Sequence, residues 1–230
     1  CTTDGKKTPC QQRDCTGIPL LRTCRTMLQQ LTWHGCVYSR SSPYDIKDEN
    51  YQYARIKGMV TPAANRCASE IVPLTNDADA LKTSIASLAP RGNTYIPAGL
   101  SWGYRTLSSK APFDQGLTPT ETTNVGGIKA MVLMSDGENT LYKVGSGTHE
   151  KTYGLWGFKN KATQATKRAC SFAKAQNVEI YTIAFEITKT DTKDLIMECA
   201  SSPNHYYDAT NAQELLKAFE AIAGALKREL

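Results

Sequence analysis

An apolar segment that ends abruptly at a carboxylate and a glycine constrains the fold of this chain most strongly. Residues 128–139 are Ile-Lys-Ala-Met-Val-Leu-Met-Ser-Asp-Gly-Glu-Asn, so Asp136 directly follows a run with the length of a buried strand. A parallel strand buried on both faces is almost continuously apolar, and ligands of α/β proteins bind at the carboxyl ends of such strands. We therefore predict a strand over 128–135 that places Asp136 at the carboxyl edge of a sheet.

A second polar signal, Thr94, lies in a loop between two predicted helices. The first helix, over 76–89, begins at an Asx-type cap and has apolar residues at positions i, i+4 and i+7. The second begins at Pro97 and extends to about residue 107. A hydroxyl and a carboxylate are oxygen ligands of the kind that hard cations prefer. Together, Thr94 and Asp136 predict half of a divalent-cation site.

Helices and strands alternate along the rest of the chain. Strands are predicted over 178–185 and 205–207, and helices over 160–176 and 212–230, with a loop rich in Gly and Lys over 137–159. This alternation is typical of an α/β fold with parallel strands and right-handed crossovers, although three strands are few for such a sheet. The predicted apolar face of the final helix consists of Leu215, Leu216, Phe219, Ile222 and Leu226.

Residues 1–75 differ from the remainder because they are polar, dense in cysteine and weakly periodic. We predict a cysteine-rich, loop-dominated insert with one helix over 20–31, followed by an α/β portion over 76–230. None of the eight cysteines lies in a CxxC pair or in the paired spacing of a zinc module. Disulfide bonds are therefore favoured over unpaired buried thiols, and they indicate an oxidising compartment. Four of the cysteines could form disulfide bonds with one another in three possible connectivities, and the sequence leaves the choice open. They are Cys1, Cys10, Cys15 and Cys24.

Composition excludes some classes of partner. The chain is 40% hydrophobic and 21% charged, as expected for a soluble globular protein, and its net charge of +5 is spread along the sequence. No cluster of Lys and Arg with interleaved aromatic residues is present, so we expect no nucleic-acid partner. No apolar run approaches the ~18 residues of a membrane span, and the chain begins at Cys1 without an export signal. We therefore expect a targeting segment, and any membrane anchor, upstream of this chain.

Several of these segments together resemble one protein family. They are GNTYIPAGLSWGYRTLS over 92–108, MVLMSDGEN over 131–139, VEIYTIAFE over 178–186, HYYDA over 205–209 and the final helix. The combination resembles the carboxyl-terminal part of a von Willebrand factor type A domain. It is most similar to the version in bacterial tight-adherence (Tad) pilus assembly proteins of the TadG type. Further residues of this chain resemble the insert of that family. They are WHGCV over 33–37, Arg40, Cys67 and IVPLT over 71–75.

The resemblance implies a three-layer, Rossmann-like α/β fold with a partial sheet. Such domains hold Mg²⁺ or Mn²⁺ through an Asp-x-Ser-x-Ser loop, a threonine and an aspartate, and only Thr94 and Asp136 match here. The first loop, and the central strand that carries it, have no counterpart in the sequence. A cation that usually takes six oxygens would then be held mostly by water, so we expect weak or absent metal binding. The resemblance also implies two disulfide bonds, Cys170–Cys199 and Cys36–Cys67.

The functional hypothesis is a non-enzymatic adhesion or assembly module of a Tad-type pilus system in the bacterial envelope, periplasmic or surface-exposed. It would bind a protein partner through Thr94, Asp136 and the loop 137–159, with Trp156 as a contact residue. One alternative is a general secreted or surface von Willebrand type A domain. A metal-dependent or disulfide-handling enzyme is disfavoured, because no CxxC and no motif that positions a general base is present. An alternative to metal binding at Asp136 is a structural role, in which its side-chain oxygen caps the following turn.

Overall fold

The computed structural model describes residues 8–16, 23–61, 69–90, 92–144, 147–151 and 156–229, with the backbone alone over 8–32. The strands are β1 (Thr8–Thr16), β2 (Thr23–Val37), β3 (Gly58–Thr61), β4 (Lys129–Ser135), β5 (Leu141–Lys143), β6 (His149–Lys151), β7 (Val178–Phe185) and β8 (Tyr206–Ala209). The helices are α1 (Ala78–Ala86), α2 (Ile96–Thr106), α3 (Pro119–Asn124), α4 (Trp156–Ala175), α5 (Thr190–Cys199) and α6 (Ala212–Glu229), and a short 3-10 turn covers Pro203–His205.

The core is a parallel sheet in the order β4-β7-β8 between two layers of helices. Alternate residues of β7 point to opposite faces, which is the geometry of any strand. Ile180 and Ala184 pack with α2, α4 and α5, whereas Tyr181 and Ile183 pack with α6. Both faces of β7 are thus buried, which explains why its sequence is apolar except at Glu179 and Thr182. The predicted fold class, α/β with a partial parallel sheet flanked by helices, is confirmed.

Strand β4 lies at the margin of this sheet. Within the described residues it pairs only with β7, so the hydrogen-bonding groups of its other edge face no strand there. On the face covered elsewhere by α6, Val132 is 38% exposed and Met134 is 49% exposed. An unpaired strand edge with exposed apolar residues is a template for association with other chains. We therefore predict that the isolated chain associates along this edge and has poor solubility.

Two apolar helix faces are less buried than their sequences predict. Leu216 and Phe219 of α6 are exposed, and Leu215, Ile222 and Leu226 alone of the predicted face pack on the sheet. Helix α1 begins as predicted, because Asp77 caps it by accepting hydrogen bonds from the amides of Asp79 and Ala80. None of its residues is buried, however. The predicted apolar face of the final helix is therefore only partly covered, since Leu216 and Phe219 are exposed to solvent.

The amino-terminal part contains an antiparallel sheet in the order β1-β2-β3. The predicted helix over 20–31 was wrong, because residues 23–31 belong to β2; residues 20–22 lie outside the described part of the chain. β2 pairs with β1 over residues 23–31, and this pairing prevails over the helical preference of Met27, Leu28 and the glutamines that follow. The register places Cys15 opposite Cys24.

Two buried arginines fix the segment 40–57 against α2. Arg40 belongs to the segment itself, and Arg105 extends from α2; they are 1% and 3% exposed. Each guanidinium donates to three backbone carbonyls of the segment. The accepting carbonyls belong to Tyr44, Asp45, Lys47, Glu49 and Ala54. A segment without regular structure thus obtains the backbone hydrogen bonds that burial requires.

The predicted disulfide bond Cys170–Cys199 is present, and it joins α4 to the end of α5. Both cysteines are buried in the core beside β7, so the bond closes a helix–strand–helix unit. Cys36 is also disulfide-bonded. Its predicted partner, Cys67, lies outside the described residues, so the Cys36–Cys67 pairing stays a prediction.

Candidate functional site

The loops that carry the two predicted ligands meet beyond the carboxyl end of β4. The amide of Thr94 donates to Oγ1 of Thr140 over 2.7 Å. The carbonyl of Thr94 accepts from the amides of Thr140 and Leu141, at 2.9 and 3.0 Å. Asp136 directly follows β4, four residues before Thr140 on the same loop. Hydrogen bonds therefore join the loop that contains Thr94 to the loop that contains Asp136 and Thr140.

Asn139 strengthens this junction and was not predicted from the sequence. Its side chain is buried, and Oδ1 accepts a hydrogen bond of 2.8 Å from the amide of Ile96, the first residue of α2. Its Nδ2 donates to Oγ1 of Thr166 in α4 over 3.1 Å. One side chain thereby joins the loop after β4 to two helices. The only sequence signal was an amide residue close behind a strand end, which many loops share.

Asp136 itself is exposed. Ser135, not Asp136, stabilises the turn: its Oγ donates to the carbonyl of Gly137 and accepts from the Gly137 amide. Within the part of the chain that the structure describes, no hydrogen bond or ion pair involves the Asp136 side chain. The alternative that Asp136 caps the turn therefore has no support there, and its carboxylate is available to a ligand.

The donor set for a metal is small. Thr94 and Asp136 supply one hydroxyl and one carboxylate, and no group of three or more His, Cys, Asp or Glu among the described residues is arranged to hold a metal ion. Mg²⁺ and Mn²⁺ take about six oxygens in near-octahedral geometry. These two residues therefore fit a cation that retains most of its water, which corresponds to weak binding.

A cluster of alternating charges flanks this edge of the sheet. Glu138 pairs with Lys159 of α4 at 2.5 Å and with Lys189 at 2.7 Å, and Lys159 also pairs with Asp191 of α5 at 3.0 Å. The hydrogen bonds from Lys159 and Lys189 lower the pKa of Glu138 below its ordinary value. Glu138 thus stays ionised, but the two lysines already balance its negative charge, so it is a poor additional metal ligand. The cluster joins the loop after β4 to α4 and α5 around a cavity of about 150 Å³.

The structure changes the context of the predicted contact residue Trp156. The sequence placed it in a Gly-flanked loop, but it is the first residue of α4. Its side chain lies outside the described part of the structure. The predicted loop 137–159 also contains a small hairpin, β5 with β6, that the sequence did not reveal. Trp156 as a partner contact stays a prediction.

Comparison with known proteins gives distant likenesses. No protein-family model and no curated protein matches the sequence. Among solved structures, the pilus adhesin SpaC from Lactobacillus rhamnosus GG aligns with 74% of this chain at 17% identity and a TM-score of 0.45. Proximal thread matrix protein 1 from the mussel byssus, described with a zinc-occupied MIDAS motif, aligns with 67% at 18% identity and a TM-score of 0.46. The chain spans 22% and 32% of those two proteins.

Among the residues that the structure describes, no helix combines the length and the apolar composition that crossing a bilayer requires.

Proposed function

We propose that this chain is a non-enzymatic adhesion or assembly module that binds a protein partner at the edge formed by Thr94, Asp136 and the loop 137–159. The system would be a Tad-type pilus in the bacterial envelope, with the chain periplasmic or surface-exposed. Residues 1–75 act as an insert, and 76–230 form the type A portion. The observation that carries the proposal is the hydrogen-bonded junction between Thr94 and Thr140, which brings the two predicted ligand loops together at the sheet edge.

A weakly held divalent cation fits this proposal. Thr94 and Asp136 would hold Mg²⁺ or Mn²⁺ together with water, and the cation would supply positive charge for a carboxylate of the partner. The unbonded, exposed carboxylate of Asp136 supports this role, whereas the small donor set limits affinity. The Cys170–Cys199 disulfide supports an oxidising location.

One alternative within this class is a general secreted or surface adhesion domain without a role in pili. Genes for a pilin and a secretion ATPase beside the gene of this chain would favour the pilus proposal. Their absence would favour the general domain. An envelope enzyme is a weaker alternative. The edge contains one hydrogen-bonded Ser–His pair, Ser39 Oγ with Nε2 of His149 at 2.7 Å, but among the described residues no carboxylate hydrogen-bonds that imidazole to complete a triad.

The proposal is tested by measuring binding of this chain to the pilin encoded beside it, in buffer with Mg²⁺. We expect Asp136→Ala to weaken binding about tenfold or more, because it removes the carboxylate that would hold the cation and so leaves the partner's carboxylate without its opposite charge. Biolayer interferometry with immobilised pilin gives the dissociation constants.

Asp79→Ala is the matched control, since it removes an equally exposed carboxylate from α1, away from the edge. It should leave the affinity unchanged. Equal affinities for wild type and Asp136→Ala would contradict the proposed docking edge.

A further inference from the structure

A cleft beside the candidate docking edge is lined by three basic side chains. It has a volume of about 570 Å³ and lies between α4, β5 and Tyr95, the residue that precedes α2. Lys143, Lys161 and Arg168 line it, and no acidic residue does so among the described residues. Burial raises the pKa of Tyr95 to about 12, so its phenol is neutral at physiological pH and does not offset the positive charge. Such a cleft concentrates anions.

Helix α4 supplies most of the wall. Lys161, Gln164 and Arg168 are spaced by three and four residues, so they lie on one helix face. Gly157 and Ala165, on the same wall, are small and leave room between the longer side chains. The positions of Lys161 and Arg168 are separated by about 10 Å along the helix axis. The wall therefore offers two cationic groups, with an amide between them, to one extended ligand.

The positive charge of Arg168 is not neutralised by a close ion pair within the described part of the protein. Asp45 lies behind the cleft and pairs with Lys143 at 2.9 Å, and both side chains are about nine-tenths buried. Arg168 lies 3.6 Å from the same carboxylate, longer than the roughly 2.7–2.9 Å of a good charge-assisted hydrogen bond. Its side chain is 54% exposed. Lys143 thus neutralises Asp45, and the Arg168 guanidinium remains available to a ligand.

Lys161 is available in the same way. Its ammonium lies 5.8 Å from the ring centre of Tyr142 and 5.2 Å from that of Phe158. The two rings stack on each other, so they form a fixed platform beneath the ammonium. Among the described residues no carboxylate pairs with Lys161. The ring contacts orient the ammonium without neutralising it.

We propose that this cleft binds an acidic segment of a protein partner, with carboxylates on Arg168 and Lys161. The proposal rests on the proposed function, because it states the chemistry by which a partner is held beside the docking edge, but it does not involve the metal. The guanidinium fork of arginine matches a carboxylate in two parallel hydrogen bonds. An extended peptide places alternate side chains on one side, about 7 Å apart, which the long lysine and arginine side chains can reach.

The test measures fluorescence anisotropy of the labelled peptides (Glu-Gly)5 and (Gln-Gly)5 with the whole chain in EDTA. We expect (Glu-Gly)5 to bind and (Gln-Gly)5 not to bind. Lys161→Gln combined with Arg168→Gln should weaken (Glu-Gly)5 binding about tenfold or more, since it removes both positive charges that would donate hydrogen bonds to the peptide carboxylates. Lys82→Gln, which removes an exposed charge from α1, should leave binding unchanged.

Three results would overturn the inference: no binding of (Glu-Gly)5, equal binding of (Gln-Gly)5, or the same affinity in the doubly substituted variant. Heparin bound at this cleft in place of (Glu-Gly)5 would assign the site to acidic polysaccharide instead. EDTA removes divalent metal from the measurement, so the two proposals fail separately. If the wild-type chain binds (Glu-Gly)5 but not pilin, or if Asp136→Ala binds pilin as tightly as wild type, the proposed function alone is contradicted. If pilin binding depends on Asp136 but (Glu-Gly)5 does not bind, the cleft alone is contradicted.

Discussion

Arg105→Met lowers the free energy of unfolding by roughly 3–5 kcal/mol, because it removes three hydrogen bonds from a charged donor to the segment 40–57 and leaves the carbonyl of Asp45 without a donor among the described residues. The Arg105 guanidinium donates to the carbonyls of Tyr44, Asp45 and Lys47, and it lies over the ring of Trp102. Methionine retains the length of the side chain but none of its donors. Urea unfolding measures the loss, which corresponds to a decrease in Tm of about 10 °C or more for a chain of this size.

Two further variants separate the hydrogen bonds of Arg105 from its charge. Arg105→Lys keeps the charge but not the fork geometry, so it should recover only part of the lost stability. Arg55→Met makes the same change at an exposed position of the same segment and should cost less than about 0.5 kcal/mol. If Arg105→Met and Arg55→Met unfold at the same urea concentration, the account of the buried guanidinium is wrong.

Replacement of both Cys170 and Cys199 by alanine is expected to cost roughly 3–4 kcal/mol. The bond closes a loop with a sequence separation of 29 residues, and chain entropy assigns that range of stabilisation to a loop of this length. Guanidinium unfolding should show a lower midpoint. It should also show a steeper dependence on denaturant, because the unfolded chain without the bond exposes more surface.

The single variants Cys170→Ala and Cys199→Ala serve as internal controls. Either one breaks the bond, so each should lose nearly as much stability as the double variant, and the losses should not add. Additive losses would mean that the packing of the two side chains, and not the bond, stabilises the unit of α4, β7 and α5. An unchanged midpoint in the double variant would contradict the role of the bond altogether.

The central sheet could be predicted from the sequence because its strands carry strong local signals. β7 was predicted with its observed limits, since it is buried on both faces and all its residues except Glu179 are β-branched, aromatic or small. Helix α5 was missed: its first five residues are polar, and its buried residues appear only in its second half, apart from Thr192. Strand β2 was predicted as a helix because its pairing with β1 is a long-range interaction that local preference does not reveal.

The candidate site was predictable to a similar extent. The sequence identified Thr94 and Asp136 as polar residues at element ends, and the structure joins their loops. It could not identify Asn139, because the two partners of that side chain, at Ile96 and Thr166, are distant in sequence. The pairing of Glu138 with Lys159 and Lys189 was hidden for the same reason. Local pattern thus located the edge, and tertiary contacts determined which of its charges are available.

The central claim is that Thr94 and Asp136 form one site, and paramagnetic broadening by Mn²⁺ in amide NMR spectra tests it most directly. We expect the amide signals around Thr94 and those around Asp136 to broaden together at the same Mn²⁺ concentration. Asp136→Ala should remove both effects, since the remaining hydroxyl is too weak a ligand to hold the ion. Broadening confined to one of the two loops, or to exposed carboxylates elsewhere such as Asp79 while both loops stay sharp, would contradict the account.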